Sequence, residues 1–317
     1  MNIKDRFKGA MFGMAAGDAL GTTVEFQSRG SFPLLTTIIG GGVFDLHPGD
    51  WTDDTSMGLC IAESLGKRKC FDPVHQMDLF VAWWAHGHNS SRPDKGAFDM
   101  GATVRGALRG WKNAKSFGSN YDANPYQGST DPNSAGNGCI MRLAPVPLFF
   151  YKESDEEIVK YCMLSSKTTH GAETCLQSSA FFGLMIAKAV QGKDKEALYT
   201  EAADHMLNNF TLHPEVKEVV EGSFKLKTER FIYSSGYVVQ TLEAALWAFY
   251  KTDNFRDGAL MAANLGYDAD TVGAVYGQLA GAYYGYEGIP EEWRKVISRK
   301  DIITKYTDNM YKAVHGK

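Results

Sequence analysis

Residues 9–21 of the chain read Gly-Ala-Met-Phe-Gly-Met-Ala-Ala-Gly-Asp-Ala-Leu-Gly, with a glycine at every fourth position. Residues 273–285 read Gly-Ala-Val-Tyr-Gly-Gln-Leu-Ala-Gly-Ala-Tyr-Tyr-Gly and repeat that spacing. A glycine inside a helix costs up to about 1 kcal/mol relative to alanine, so several on one face indicate a compensating close approach of backbones. The pattern predicts two central, closely packed helices. If they pack against each other, Asp18 and Glu25 come into one neighbourhood with residues 268–271.

Two acidic clusters precede predicted helices, Trp-Thr-Asp-Asp-Thr at residues 51–55 and Asp-Ala-Asp-Thr at residues 268–271. Helix capping is one interpretation, because Asp and Thr are common N-caps and acidic side chains complement the helix dipole. Capping does not explain why both clusters pair carboxylates with threonine in otherwise apolar, glycine-rich sequence. Carboxylate and hydroxyl oxygens are the ligands that Mg²⁺, Mn²⁺ and Ca²⁺ prefer. If the fold brings the clusters together, they can hold two such ions.

The composition is typical of a soluble globular protein and excludes several function classes. Of 317 residues, 44% are hydrophobic and 22% are charged. The net charge of −4 gives no basic footprint for nucleic acid, and no apolar run reaches the ~20 residues of a membrane span. Five scattered cysteines favour free thiols in a reducing compartment. No signal-peptide core follows the first residues, so we expect a cytoplasmic protein. We also expect it to be a monomer.

Helical periodicity runs through almost the whole chain, and no segment shows sustained period-two alternation. After a first helix that contains Ile3, Phe7, Met11 and Met14, helices are predicted over 54–65, 74–86, 100–111, 139–150, 155–168, 172–190, 195–208, 214–222, 236–251, 255–264, 271–285 and 301–314. Residues 28–50 and 112–138 are predicted to be irregular, and the longer stretch has the character of a functional loop. We therefore expect an all-α protein with a single domain over residues 1–317.

Seven motifs, taken together and in order, resemble the ADP-ribosylglycohydrolase family. They lie at residues 13–21 with Glu25, 51–55, 99–103, 136–138 with Met141 and Arg142, 169–170, 236–242 and 268–273. In the character of these motifs the chain is similar to the bacterial dinitrogenase reductase-activating glycohydrolase, a type of enzyme that removes ADP-ribose from arginine. Relatives act on ADP-ribosyl-serine, poly(ADP-ribose) or O-acetyl-ADP-ribose. The resemblance implies a compact, orthogonal multi-helix fold.

The resemblance also implies two divalent cations, Mg²⁺ or Mn²⁺, between the acidic clusters. The ligands that it assigns are Thr52, Asp53, Asp54, Asp268, Asp270 and Thr271. Asp270 would bridge the two ions. The ions would bind the two hydroxyls of the distal ribose, fix the anomeric carbon and polarise a water.

Glu25 and Asp99 are the two candidate catalytic residues. A loop glutamate is usually exposed, and an aspartate before a helix is commonly its N-cap, so both have ordinary structural interpretations. In the family, the glutamate lies beside the metals, where it could activate water or protonate the leaving group. In arginine-specific relatives the aspartate lies near the scissile bond, where a carboxylate can pair with a guanidinium.

Six further residues are assigned to substrate binding by the same resemblance, namely Gly101, Gly136, Asn137, Gly138, His170 and Tyr237. The Gly-Asn-Gly segment is either a turn with a cap or a backbone cradle for a diphosphate at a helix N-terminus. His170 is either a satisfied core histidine or a contact to phosphate or ribose. Tyr237 is either a core aromatic or a platform that stacks on adenine.

The sequence thus predicts a metal-dependent hydrolase that cleaves ADP-ribose from an acceptor, the arginine side chain of an ADP-ribosylated protein. Its partner would be that protein or a small molecule containing ADP-ribose, with no membrane or nucleic acid involved. Cleavage of O-linked ADP-ribose is an alternative within enzymes. A non-catalytic relative that binds ADP-ribose or serves structurally is an alternative of another class.

Overall fold

The computed structural model describes residues 1–117 and 123–316. Its α-helices are α1 (Ile3–Gly21), α2 (Asp53–Arg68), α3 (Pro73–His86), α4 (Ala102–Phe117), α5 (Pro145–Phe150), α6 (Asp155–Lys167), α7 (Glu173–Val190), α8 (Lys195–Asn209), α9 (Pro214–Val220), α10 (Ser223–Leu226), α11 (Val238–Lys251), α12 (Phe255–Ala263), α13 (Ala269–Tyr284), α14 (Glu291–Val296) and α15 (Lys300–His315). Across these described ranges the β-structure consists of isolated bridges, and no β-strand is present. The all-α prediction is confirmed.

The glycine-rich helices α1 and α13 form the centre of the fold and lie antiparallel in direct backbone contact. Gly13 faces the carbonyl oxygen of Gly277, and Gly17 faces that of Gly273. The contact is reciprocal, because Gly277 in turn meets the carbonyl oxygen of Gly13. A Cβ at any of these positions would overlap backbone atoms of the other helix, whereas hydrogen on Cα allows Cα–H···O contacts. The predicted close packing of the two helices is therefore confirmed.

The antiparallel pairing places the end of α1 beside the start of α13. Gly21, the last residue of α1, lies against the carbonyl of Ala269, the first residue of α13. Asp18 lies one turn earlier in α1 and is fully buried. The two distant parts of the sequence that carry acidic residues therefore meet at one end of the central helix pair.

One predicted helix, over residues 139–150, is wrong in its first half. Residues 140–144 form a turn, and α5 begins only at Pro145, whose missing N–H suits the first position of a helix. Gln278 of α13 replaces the missing helical bonds. Its amide nitrogen donates to the carbonyls of Ile140 and Met141, and its oxygen accepts from the N–H of Ala144. A buried glutamine of α13 thus stabilises residues 140–144 as a turn.

Other differences from the predicted elements are smaller. Helix α4 continues to Phe117, so the irregular segment expected over 112–138 begins later than predicted. Part of that segment, residues 118–122, lies outside the described residues. The short helices α10 and α14 were not predicted. The five cysteines are free thiols, as expected.

No helix in the described ranges is both long enough and apolar enough to cross a bilayer.

We predict that Gly13→Ala lowers the free energy of unfolding by at least about 2 kcal/mol, because the new methyl group meets a backbone carbonyl that cannot move aside. Gly106→Ala is the matched control, because this α4 glycine is exposed and a Cβ there meets nothing. It should raise stability by about 0.5–1 kcal/mol. Urea unfolding of both variants checks the prediction, and equal effects would contradict the proposed backbone contact.

Candidate active site

Thr52 and Asp268 stand at the N-cap positions of α2 and α13, but neither side chain makes a capping hydrogen bond. The Thr52 hydroxyl lies 3.4 Å from Oδ2 of Asp270, and the Thr271 hydroxyl lies 3.3 Å from Oδ1 of Asp54. The oxygens of one cluster thus face those of the other. The side chains of Thr52 and Asp268 therefore do not act as helix caps, the structural alternative for these clusters. The prediction that the two clusters meet is confirmed.

Asp18 braces the start of α2. Its Oδ1 accepts from the N–H and hydroxyl of Thr52 at 2.9 and 3.0 Å. Its Oδ2 accepts from the N–H and hydroxyl of Thr55 at 3.1 and 2.6 Å. Both oxygens are therefore occupied by α2, which ties that helix to α1. Asp18 fixes the first cluster in place and leaves the remaining carboxylates to face the site.

The remaining carboxylates leave buried oxygens without partners. Oδ2 of Asp54, Oδ1 of Asp270 and Oε2 of Glu25 are inaccessible to solvent and accept no hydrogen bond from the described residues. Asp270 belongs to two compact groups of carboxylates, one with Asp18 and Asp54 and one with Glu25 and Asp99. Within each group the potential ligand atoms lie within 4.8 Å of one another. Unpaired buried carboxylates are costly, so the open oxygens of Asp54, Asp270 and Glu25 fit divalent cations, with Asp270 common to both groups.

Not every predicted ligand falls in these two groups. Asp53, Asp268 and Thr271 line the adjoining cleft, whereas Asp54 and Asp270 lie deeper and are almost completely buried. The Asp268 carboxylate accepts a hydrogen bond at 2.6 Å from the side-chain amide of Asn137. All six predicted ligands therefore come together at one place, and their individual roles stay predictions.

The acidic side chains of the site are buried close to one another, and their pKa values are raised. Burial, reinforced by the charge of Asp270, raises the pKa of Glu25 to about 10. Burial, with Asp53 and Glu25 nearby, raises the pKa of Asp99 to about 11. Burial likewise raises the pKa values of Asp53, Asp54 and Asp270 well above the usual range. So many carboxylates can ionise together only if positive charge is brought among them.

Asp99 does not cap a helix. The carbonyl of Gly101 accepts the first bond of α4, from the N–H of Arg105 at 3.0 Å, so Gly101 occupies the N-cap position. Asp99 lies two residues earlier with φ of 60°. This left-handed conformation is uncommon for residues other than glycine and directs the carboxylate toward Glu25 and Asp270. The capping alternative for Asp99 is wrong.

A cleft of about 540 Å³ opens above the acidic cluster, a size typical of small-molecule sites. Glu25, Asp99 and Asp53 line it beside the acidic cluster, and we call this part its carboxylate end. Its lining also includes the start of α4, Gly136, Gly138 and His170. Helix α4 has 16 residues, and the N–H groups at its first turn can bind an anion. The cleft therefore offers carboxylates together with hydrogen-bond donors suited to a phosphate group.

The Gly-Asn-Gly segment is a turn rather than the start of an α-helix. Residues Asn137–Cys139 form a single 3₁₀ turn, too short to supply a helix dipole. The predicted binding of a diphosphate by this segment stays a prediction. Asn137 donates through its side-chain amide to Asp268 and, at 2.9 Å, to the Thr241 hydroxyl. Its amide group thus positions an acidic residue. Gly138 must lack a side chain, because a Cβ would meet the ring of His170.

His170 is buried and oriented by a chain of hydrogen bonds that begins at Arg142. Nη2 of Arg142 donates to the Thr169 hydroxyl at 2.5 Å, and that hydroxyl lies 2.8 Å from Nδ1 of His170. Because arginine can only donate, the hydroxyl proton of Thr169 is free to point at Nδ1. The imidazole proton then resides on Nε2, at the cleft. Burial, with the nearby Arg142 charge, lowers the pKa of His170 to about 3, so the ring is a neutral donor.

Tyr237 adjoins Gly136, a residue that lines the cleft. Its backbone forms an isolated bridge with Gly136, and its hydroxyl donates to the carboxylate of Glu215 on α9. It is not among the residues that line the cleft. Its predicted stacking on adenine stays a prediction.

Two residues that sequence reasoning left without a role stand out here. Asp18 interrupts an apolar glycine-rich helix, and Arg142 interrupts an apolar run, so each was detectable as a charge at a core position. Arg142 is completely buried, and its guanidinium donates to the hydroxyls of Thr168 and Thr169. Phe26 also lines the cleft, and its sequence carried no signal beyond its position after Glu25.

A model of the family described as ADP-ribosylglycohydrolase matches residues 1–317. The chain belongs to this family. A solved structure described as an ADP-ribosylglycohydrolase-related protein complex is similar to the chain, with a TM-score of 0.84 and 38% identity over 99% of both chains. The family and fold expected from the motifs are confirmed, and membership makes the protein a hydrolase of ADP-ribosyl bonds.

Two named relatives carry more specific descriptions. The ADP-ribosylarginine hydrolase Tri1 of Pseudomonas putida (strain GB-1) is 39% identical over 307 residues, which cover 97% of this chain and 78% of the relative. The ADP-ribosyl-(dinitrogen reductase) glycohydrolase of Rhodospirillum rubrum is 29% identical over 305 residues, which cover 94% of this chain and 92% of the relative.

We predict that the cation-free protein loses stability as pH rises. The ordinary pKa of 4.5 for Glu25 becomes about 10 on folding, so its contribution is fully present below about 4.5 and is lost as pH rises toward 10. In chelator, the thermal midpoint should fall between about pH 6 and pH 9. Mg²⁺ or Mn²⁺ at the higher pH should restore it, because the cation pairs with the ionised carboxylates.

Glu25→Gln is the control for this measurement, since it removes one of the titrating groups and should flatten the pH dependence. A midpoint that responds neither to pH nor to added cation would contradict the cation site.

Proposed function

We propose that this protein releases ADP-ribose from the arginine side chain of an ADP-ribosylated protein and depends on two divalent cations, Mg²⁺ or Mn²⁺. The observation that carries the proposal is the buried acidic cluster with unpartnered oxygens beside a cleft whose lining also includes hydrogen-bond donors suited to phosphate. Relatives named as hydrolases of ADP-ribosylarginine and of ADP-ribosyl-dinitrogen reductase support arginine as the acceptor.

The cations would be held by Asp53, Asp54, Asp268 and Asp270 with the hydroxyls of Thr52 and Thr271. When bound, they would supply Lewis-acid polarisation of the ribose hydroxyls and of a water. Asp18 and Asn137 prepare this site, because each is hydrogen-bonded to a residue of the ligand set. These contacts reduce the reorganisation that binding requires.

The cleft orients the substrate by its charge. With the distal ribose at the acidic cluster, the diphosphate reaches the first turn of α4 and Nε2–H of His170. The scissile bond then lies beside Glu25 and Asp99. Water attacks the anomeric carbon, and the bond to the guanidine nitrogen breaks. Glu25, which lines the cleft beside Asp99, is placed to take the water's proton and return one to the leaving nitrogen.

Asp99 supplies the acceptor preference in this proposal. Its carboxylate lies at the same end of the cleft as Glu25, where a planar cationic leaving group can be held by paired hydrogen bonds. Serine- and acetyl-linked acceptors carry no such cation.

A single domain over residues 1–317, acting as a cytoplasmic monomer, completes the proposal. One hydrophobic core cluster that includes residues from Phe7 to Met310 supports the single domain.

The direct test is release of ADP-ribose from arginine-, serine- and acetyl-linked substrates, each with Mg²⁺, with Mn²⁺ and with excess chelator. We expect cleavage of the arginine-linked substrate and its loss in chelator. Cleavage of O-linked substrates alone would assign the other acceptor class. Binding of ADP-ribose with no cleavage of any substrate would identify a non-catalytic relative, and full activity in chelator would exclude the role of cations.

We predict that Asp99→Asn lowers kcat/KM on arginine-linked ADP-ribose by roughly ten- to a hundredfold, as expected for loss of a hydrogen bond between charged groups. Asparagine tolerates the left-handed backbone, so the fold should be kept. Binding of free ADP-ribose should be nearly unchanged, because the product lacks the guanidinium.

Asp45→Asn is the matched control, because Asp45 is an exposed aspartate with φ of 50° that does not line the cleft. Equal losses for Asp99→Asn on arginine-linked and O-linked substrates would remove the argument for arginine preference.

A further inference from the structure

A groove lined by aromatic side chains adjoins the carboxylate end of the cleft. It has a volume of about 540 Å³ and shares Phe26, Gly236 and Asp268 with the cleft. Its other lining residues include Tyr233 and Tyr267. Phe26, Tyr233 and Tyr267 are 65%, 58% and 48% exposed. Neither α4 nor His170 lines it, whereas Phe26, next to Glu25, and Asp268 do, so the groove adjoins the cleft beside the acidic residues.

The backbone holds the aromatic rings outward and the carboxylates inward. Phe26 follows Glu25, and Tyr267 precedes Asp268. Both aromatic residues have left-handed backbones, with φ of 61° and 54°, which is rare for bulky side chains and tends to cluster at functional sites. The N–H of Phe26 donates to the carbonyl of Tyr267 at 2.7 Å, and the N–H of Tyr267 donates to the carbonyl of Gln27 at 2.7 Å.

Further hydrogen bonds fix the backbone segments that line the groove. The Arg29 guanidinium donates to the carbonyls of Glu229, Ile232 and Leu265 at 2.6, 2.5 and 3.3 Å. The N–H of Asp268 donates to the carbonyl of Ser234 at 3.0 Å. The exposed aromatic rings therefore stand on a fixed backbone, which lowers the entropic cost of binding a partner.

We propose that this groove binds the polypeptide that flanks the modified side chain, and that it favours apolar residues next to the ADP-ribosylated position. The inference rests on the proposed function, because it places the acceptor beyond Glu25 and Asp99. A substrate with its distal ribose at the acidic cluster carries its acceptor past Glu25 and Asp99, and the groove adjoins the cleft next to these residues through Phe26 and Asp268. Exposed aromatic residues of this kind are typical of protein interaction sites.

The test compares three probes, namely free ADP-ribosylarginine, a peptide with ADP-ribosylarginine flanked by leucines, and the same peptide flanked by serines. Binding affinity and cleavage are both measured, with Mg²⁺ present. We expect the wild-type protein to prefer the leucine peptide by about five- to tenfold in both, the effect of burying part of one apolar side chain. Tyr233→Ala should abolish this preference and leave free ADP-ribosylarginine unaffected.

Tyr233 is chosen because Phe26 and Tyr267 adjoin residues of the catalytic site. Leu226→Ala is the matched control, since Leu226 is an exposed apolar residue of α10, 91% accessible, that does not line the groove. It should keep the wild-type preference for the leucine peptide.

Several results would overturn the proposal. Equal affinity of the wild-type protein for the two peptides, an unchanged preference in Tyr233→Ala, or no binding of any probe would each exclude peptide docking. Weaker binding of ADP-ribose itself to Tyr233→Ala would make the groove part of the nucleotide site. A dimer that Tyr233→Ala dissociates would assign the groove to a second copy of the chain.

The test distinguishes failure of the peptide-binding groove from failure of the proposed function. If the leucine peptide binds preferentially but no arginine-linked probe is cleaved, the groove stands and the proposed acceptor chemistry is wrong. If free ADP-ribosylarginine is cleaved but flanking residues have no effect, the proposed function stands and the groove is excluded.

Discussion

The contact between the backbones of α1 and α13 is the constraint on which the rest of the structure depends. Glycine at the interface lets each helix place its carbonyl oxygens against the Cα atoms of the other. At this separation neither helix can rotate about its axis, because rotation would replace the glycines at the interface with neighbouring side chains such as Met14 or Tyr276. The fixed register brings the end of α1 to the start of α13, and the acidic residues of both follow.

The site then grows outward from that junction through hydrogen bonds. Asp18 at the end of α1 holds the start of α2, and Asn137 holds Asp268 at the start of α13. The cost of this arrangement is a concentration of buried carboxylates whose pKa values are raised by burial and by one another. The arrangement that makes the cation-free site unfavourable also suits it to divalent cations, since a positive charge among the carboxylates offsets their mutual repulsion.

The lining of the cleft combines two kinds of group. Negative charge gathers where α2 and α13 begin, while the first turn of α4 and the neutral His170 present hydrogen-bond donors. A ligand with a diol at one end and a diphosphate at the other matches that polarity. The aromatic groove adds a third, apolar region next to the carboxylate end, so the chemistry of the surface changes where the proposed substrate changes from nucleotide to polypeptide.

The sequence by itself determined the all-α fold, the central glycine-rich helices and the identity of the acidic clusters. These features rest on local periodicity and on residue chemistry, which a single sequence displays. Only the tertiary structure decided how residues far apart in sequence use their polar groups. The turn at 140–144 depends on Gln278, and the function of Asn137 as a support for Asp268 depends on a partner from α13. The orientation of His170 depends on Arg142, and the outward rings of Phe26 and Tyr267 depend on bonds between two loops. Periodicity reports which face of an element is buried, whereas a hydrogen bond between distant segments exists only once the packing of the whole chain has set the positions of both partners.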